Sequence, residues 1–108
     1  MKEPANFRWS DMHDLFSVIM CIDESMAIVY ASDTLASFLP QTLEKPRLLE
    51  VFYAQRPSAL GSFSEGLRQL GSLCLLTAKN GKFAIRGQML KVDYEGRQVL
   101  CFCGAPWL

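Results

Sequence analysis

The sequence predicts an α+β fold: a five-stranded antiparallel sheet with helices gathered on one face and an N-terminal arm or helix. Three observations carry this reading. Residues 73–106 read as three consecutive strands, because Asn80-Gly81 and Asp93-Tyr94-Glu95-Gly96 interrupt them with residues that tolerate the positive φ of tight hairpin turns. Two apolar runs, residues 15–22 and 26–31, flank the turn Asp23-Glu24-Ser25 and form a further hairpin. Between these two strand groups, apolar residues recur at helical spacing. Strands, a helical middle and strands again is the order of a domain whose helices pack on one side of a sheet.

In chain order, residues 1–14 form an arm or short helix, with Phe7, Trp9 and Met12 set among Ser10, Asp11 and Asp14. The domain proper spans 15–108. After the first hairpin, Ser32-Asp33 supplies an N-cap, and Leu35, Phe38 and Leu39 continue a helix until Pro40 stops it. Leu48, Leu49, Val51 and Phe52 make a short helical or irregular apolar patch. A longer helix enters at Arg56-Pro57-Ser58, carries Leu60, Phe63, Leu67 and Leu70 at spacings of three, four and three, and ends at Gly71-Ser72.

The last three strands differ in character. In the middle one, Phe83, Ile85, Gly87 and Met89 alternate with Ala84, Arg86 and Gln88, the period-2 pattern of a half-buried strand. The final strand is apolar on both faces, with Val99, Cys101 and Cys103 on one and Leu100 and Phe102 on the other. Such a strand belongs in the middle of the sheet and needs cover on both sides, which points to a partner surface.

Composition narrows the function. At 108 residues the chain holds one domain with a single two-layer core. Eleven basic and eleven acidic residues cancel, leaving no electrostatic footprint for nucleic acid or an anionic membrane. No apolar run approaches the roughly 20 residues needed to span a bilayer, and the N-terminus lacks the apolar region of a signal peptide. A cytoplasmic setting with four reduced cysteines is expected.

The chemistry-bearing residues are few. Cys101-x-Cys103 places two thiols on one face of a strand, with Cys21 on the strand expected beside it. Without a second nearby pair this is a weak metal signal, and buried thiols acting as small hydrophobes are expected. The rival reading is a redox sensor that forms a Cys21–Cys101 or Cys21–Cys103 bridge on mild oxidation. His13, the only histidine, precedes the first strand and can serve no dispersed nucleophile, so no catalytic residue and no metal ligand is assigned.

Phe52-Tyr53-Ala54-Gln55-Arg56-Pro57, Ser62-Phe63, Leu73-Cys74-Leu75-Leu76-Thr77 and Ile85-Arg86-Gly87-Gln88-Met89-Leu90 together resemble the haem-NO-binding-associated family, the PAS-like domain of soluble guanylyl cyclases and bacterial histidine kinases. The signature quartet is Arg86, Gly87, Gln88 and Met89; Cys103-Gly104-Ala105-Pro106 is similar to the family's Gly-Ser-Pro exit, with Ala105 in place of the commoner serine. The resemblance spans residues 15–106 and implies a PAS-like sheet whose first and last strands lie side by side at its centre. It further implies a non-catalytic regulatory module that dimerises, as a homodimer or with an unlike chain. Such a module relays the state of a haem-based nitric-oxide sensor, in cis or in trans, to a histidine kinase or guanylyl cyclase output. No cofactor is expected within the domain itself. A haem-binding PAS domain takes its axial ligand from the helical bracket and a photoactive flavin one takes a cysteine there, and residues 33–52 hold neither histidine nor cysteine.

The expected dimer surface is Phe7, Trp9, Met12 and Leu15, together with the outward residues of the central strands; the competing arrangement has the arm covering its own sheet. In the signature quartet, Met89 is expected in the core, Gly87 relieves crowding, and Arg86 and Gln88 line the outer face, where they contact either solvent or a partner. The alternative function is a small-ligand sensor with its own apolar pocket between helices and sheet.

Overall fold

A computed structural model describes residues 9–57 and 60–107. The elements are α1 (Trp9–Leu15), β1 (Val18–Ile22), β2 (Ile28–Ala31), α2 (Asp33–Phe38), a 3-10 helix (Pro40–Glu44), α3 (Leu48–Val51), β3 (Phe52–Arg56), α4 (Phe63–Arg68), β4 (Leu73–Ala78), β5 (Ala84–Tyr94) and β6 (Arg97–Pro106). They build an α+β domain around a six-stranded sheet of order β2-β1-β6-β5-β4-β3, with every pairing antiparallel. The first and last strands are neighbours in its interior, as expected.

The strand count corrects the expected five. The additional strand is β3, which pairs with β4 from Phe52↔Ala78 to Arg56↔Leu75 through a bulge between Ala54 and Arg56. It follows α3 with no intervening turn, so the apolar patch at Leu48–Val51 and the strand after it merge into one featureless run in the sequence. Only Phe52 of β3 is fully buried, whereas Tyr53 is exposed. Edge strands of this kind carry a weak alternation signal.

The β5–β6 hairpin is tighter than the four residues assigned to it. Glu95 and Gly96 have φ of 52° and 81°, and Tyr94 pairs directly with Arg97. A two-residue loop with positive φ at both positions is a type I′ turn, whose twist matches that of the strands it joins. Asp93 and Tyr94 therefore stay in the strand.

Two helical expectations change as well. The expected helix from residue 56 onward begins only at Phe63. Ser62 is its N-cap, accepting from the Glu65 amide at 3.2 Å, and the Glu65 carboxylate reaches back to the Gly61 amide at 2.7 Å. Leu60 consequently lies before α4 and inserts into the core, while Leu67 and Leu70 face outward. At α2, Ser32 occupies the N-cap position without capping. Its hydroxyl instead accepts from the Ile19 amide at 3.0 Å and donates to the Ser17 carbonyl at 3.2 Å, tying the helix start to β1.

The turn between β1 and β2 depends on Asp23. Its Oδ1 accepts from the Ser25 amide, the Ser25 hydroxyl and the Ala27 amide at 2.9, 2.7 and 3.0 Å, and Arg97 approaches Oδ2 at 3.4 Å. Burial acts to raise the carboxyl's pKa, but the hydrogen bonds and the Arg97 charge outweigh it and hold the group below its usual range. A depressed folded-state pKa contributes stability above the unfolded value, and that contribution is lost as pH falls through the folded value. Asp23→Ala is therefore expected to cost about 1–2 kcal/mol in urea unfolding at neutral pH. Asp23→Asn, which keeps an acceptor at Oδ1, should lose less, and the gap between parent and Asn variant should close as the solution is acidified below about pH 4.

The sheet has two covered faces. On the first, Val18, Met20 and Ile22 of β1, Leu100 and Phe102 of β6, Ile85 and Met89 of β5 and Leu76 of β4 pack against Leu35, Leu39, Leu48, Val51 and Leu60 from the helical side. These side chains interlock at near-zero exposure, so the layer where a PAS-type pocket was the alternative expectation is filled with Leu, Ile, Phe and Met. On the second face, Met12 of α1 caps Ile19 and Cys21 of β1 and Val99, Cys101 and Cys103 of β6. The two-sided apolar character of β6 is thus answered within the chain, by α2–α4 on one side and by α1 on the other. Among the described residues no helix is long and apolar enough to cross a membrane.

Candidate functional site

Among the described residues, α1 contributes Met12 to the buried cluster on the second face, which Leu90, Val92 and Tyr94 of β5 extend. The face continues past the end of α1. There an open groove of ≈ 730 Å³ runs beside the end of the helix. One wall is His13, Asp14, Leu15, Phe16 and Ser17, the floor is Arg86, Gly87, Gln88, Cys103, Gly104 and Ala105, and Gly71 and Leu73 bound the far side. Strand alternation explains the floor: Ile85 and Met89 point into the core, which sends Arg86 and Gln88 to the opposite face.

Two glycines in register bring β5 and β6 close together beneath this floor. Gly87 and Gly104 are direct partners across β5 and β6. A Cβ on Gly87 would collide with the Cys103 carbonyl oxygen and lie 2.7 Å from the Gly104 Cα; one on Gly104 would collide with the Arg86 carbonyl oxygen and lie 2.8 Å from the Gly87 Cα. Each glycine is what permits the other's backbone to approach.

Helix α1 is held on the sheet by Met12, which is 3% exposed, and by His13, whose Nε2 shares a 2.7 Å hydrogen bond with the Tyr30 hydroxyl. Burial, then the nearby Asp33 carboxylate, pushes the Tyr30 hydroxyl above its ordinary pKa, so Tyr30 stays neutral and able to donate. At the groove itself the charges are unmatched. Asp14 and Arg86 are both exposed, and among the described residues neither side chain makes an ion pair or hydrogen bond.

The thiols lie beneath α1. Cys101 and Cys103 are 3.6 Å apart at Sγ, and Cys21 faces Cys101 across the strand pair. The Cys103 hydrogen bond acts to lower the Cys101 pKa, but the Cys21 hydrogen bond, burial and the Cys21 charge together push it well up. Cys103 is raised by its hydrogen bond to Cys101 and by burial. On the opposite face, burial pushes Cys74 up to about 12. Buried thiols with raised pKa are poor nucleophiles, and among the described residues no group of three or more His, Cys, Asp or Glu is arranged to hold a metal ion.

A second, smaller feature lies where β6 ends. Phe38 stacks on Phe83 with centroids 4.6 Å apart, and Trp107 beside them is 46% exposed. Trp107 is held to β5 by its amide, which donates to the Ala84 carbonyl at 2.8 Å.

The residues singled out in the sequence separate clearly. Phe7 lies outside the described residues; Trp9 opens α1, with its side chain outside what is described. Met12 is spent on its own sheet, the competing arrangement for the arm, whereas Leu15 is 62% exposed at the groove wall. Of the signature quartet, Arg86, Gly87 and Gln88 line the groove, and Met89 is in the core on the other side. Leu15 and the signature, chosen for unrelated reasons, thus meet in one place. Asp14, Leu73 and Gly104 were not singled out for it, since only tertiary contact joins them. Compared with known proteins, the chain matches no family model and no curated protein.

Proposed function

We propose that this chain is a PAS-like, non-catalytic regulatory domain of a cytoplasmic signalling protein of the histidine kinase or guanylyl cyclase type. It self-associates and relays the state of a haem-based nitric-oxide sensor to an output domain. The observation that carries the reading is the groove on the second sheet face. It is a surface with an exposed apolar residue, Leu15, at its wall and the signature residues Arg86, Gly87 and Gln88 on its floor. The strand order supports the fold assignment: β2-β1-β6-β5-β4 is the order of a PAS-like core, with β3 added at the edge.

The position of β6 supports a relay. This strand lies beneath both α1 and the groove, pairs with β5 along its length and with β1 from Leu100 to Gly104, and leads directly to the exposed Trp107. A change at the groove is thereby coupled to the chain exit through one continuous strand. The two-state element this requires is α1, docked or released, because a helix of seven residues has little stability of its own.

Light scattering across a dilution series tests the association. A dimeric parent and a predominantly monomeric Leu15→Glu variant, with the same thermal unfolding once both are dilute enough to be monomeric, is the expected result. A parent that stays monomeric at every concentration defeats the reading for this domain.

A further inference from the structure

We propose that the groove receives a second copy of the same chain about a two-fold axis. Leu15 of each protomer seats in the other's groove, and Asp14 of each pairs with the partner's Arg86. The proposal rests on the association reading above and specifies its surface.

A two-fold interface uses one patch twice, so that patch must carry both halves of every contact. This groove does. It bears Arg86 on its floor and Asp14 on its wall, both exposed and both unmatched among the described residues, while His13, also on the wall, is engaged by Tyr30. It also bears an exposed apolar side chain, Leu15, beside the hollow that would accept its counterpart, with Leu73, 38% exposed, as apolar lining on the far side. Arg86 and Gln88 flank this floor, and the backbone of Gly87 and Gly104 lies between them and Cys103. An acidic peptide or a carboxylate-bearing small molecule would match Arg86 but would face Asp14 at close range. A basic partner has the opposite conflict with Arg86. A second copy satisfies both charges.

The test is a charge swap between chains. Alone, Asp14→Arg sets an introduced guanidinium against the partner's Arg86 at two places per dimer. Arg86→Asp likewise sets an introduced carboxylate against the partner's Asp14 at two places. Each variant is expected to self-associate roughly tenfold more weakly than the parent, or worse, because repulsion replaces attraction at two symmetric places. Both sites are exposed, so at concentrations low enough for every protein to be monomeric the melting curves should match the parent's. An equimolar mixture of the two variants should regain a dimer containing one of each chain. In that mixed dimer the two introduced side chains, one basic and one acidic, face each other at one place, and the native Asp14 and Arg86 face each other at the second. Mass analysis of the mixture reads this directly.

Variants that dimerise as well as a dimeric parent overturn this interface and leave association by another surface standing. Weakening by Arg86→Asp alone, or weakening in both without rescue on mixing, also overturns it and points to a different occupant of the groove. A parent that is monomeric throughout removes this proposal together with the reading it rests on.

Discussion

Gly104→Ala is expected to cost about 3 kcal/mol, a large share of the roughly 5–15 kcal/mol that holds a domain of this size folded. The reason is backbone contact. The added methyl has nowhere to go, because the obstructing atoms are the Arg86 carbonyl oxygen and the Gly87 Cα of the adjacent strand, 2.8 Å away in the latter case. A flexible side chain could rotate aside; a ladder of paired strands can only separate. The clash is reciprocal, so Gly87→Ala should have a similar effect, and the double variant should cost less than twice either single one. Ala105→Ser is the control. It changes the neighbouring, exposed position to the residue commoner in the resembled family, and is expected within about 0.5 kcal/mol of the parent. Urea unfolding with an unchanged m-value would measure all four. A Gly104→Ala variant within about 1 kcal/mol of the parent would show that the strands are not held this closely.

This glycine pair also shows how far the sequence could be read. Once the β5–β6 turn is placed at Glu95-Gly96, counting outward from Tyr94↔Arg97 sets Gly87 opposite Gly104; the four-residue turn read from the sequence sets Gly87 opposite Phe102 instead, so the two glycines were legible and their pairing was not. The two-sided burial of β6 was legible, because alternation fails there in a way that only a central strand explains. Three elements resisted for local reasons. Strand β3 has no turn before it and one fully buried side chain. Helix α4 loses its first expected turn because Ser62, with Glu65 three residues on, offers a better start. Ser32 looks like a cap but finds stronger partners in Ile19 and Ser17, which are distant in sequence. The groove was half legible. Leu15 and Arg86 to Gln88 stood out individually, but the pairing of Asp14 with them depends on where α1 lands on the sheet, a contact without a local signature.

Replacing Met12 with Glu is expected to release α1 from the sheet, with a loss of about 2–4 kcal/mol. Met12 is 3% exposed and belongs to the buried cluster of Ile19, Cys21, Val99, Cys101 and Cys103, which among the described residues contains no cation to pair with a carboxylate. Keeping that charge buried would cost more than undocking seven residues whose helicity depends on the contact. The ceiling on the loss is therefore the docking energy of α1, and the rest of the domain should stay folded. Thiol reactivity distinguishes the two outcomes. The native parent should be slow to react with Ellman's reagent at about pH 8, since its four cysteines are buried. In Met12→Glu, Cys21, Cys101 and Cys103 should become reactive, while Cys74, on the opposite face and raised to about 12 by its own burial, should stay protected. Reaction of all four thiols would mean global unfolding, and protection equal to the parent's would mean that something other than α1 shields this face. Release of the three second-face thiols alone would establish α1 as a separable cover. A cover that can leave without unfolding the sheet is the two-state element that a relay through β6 needs.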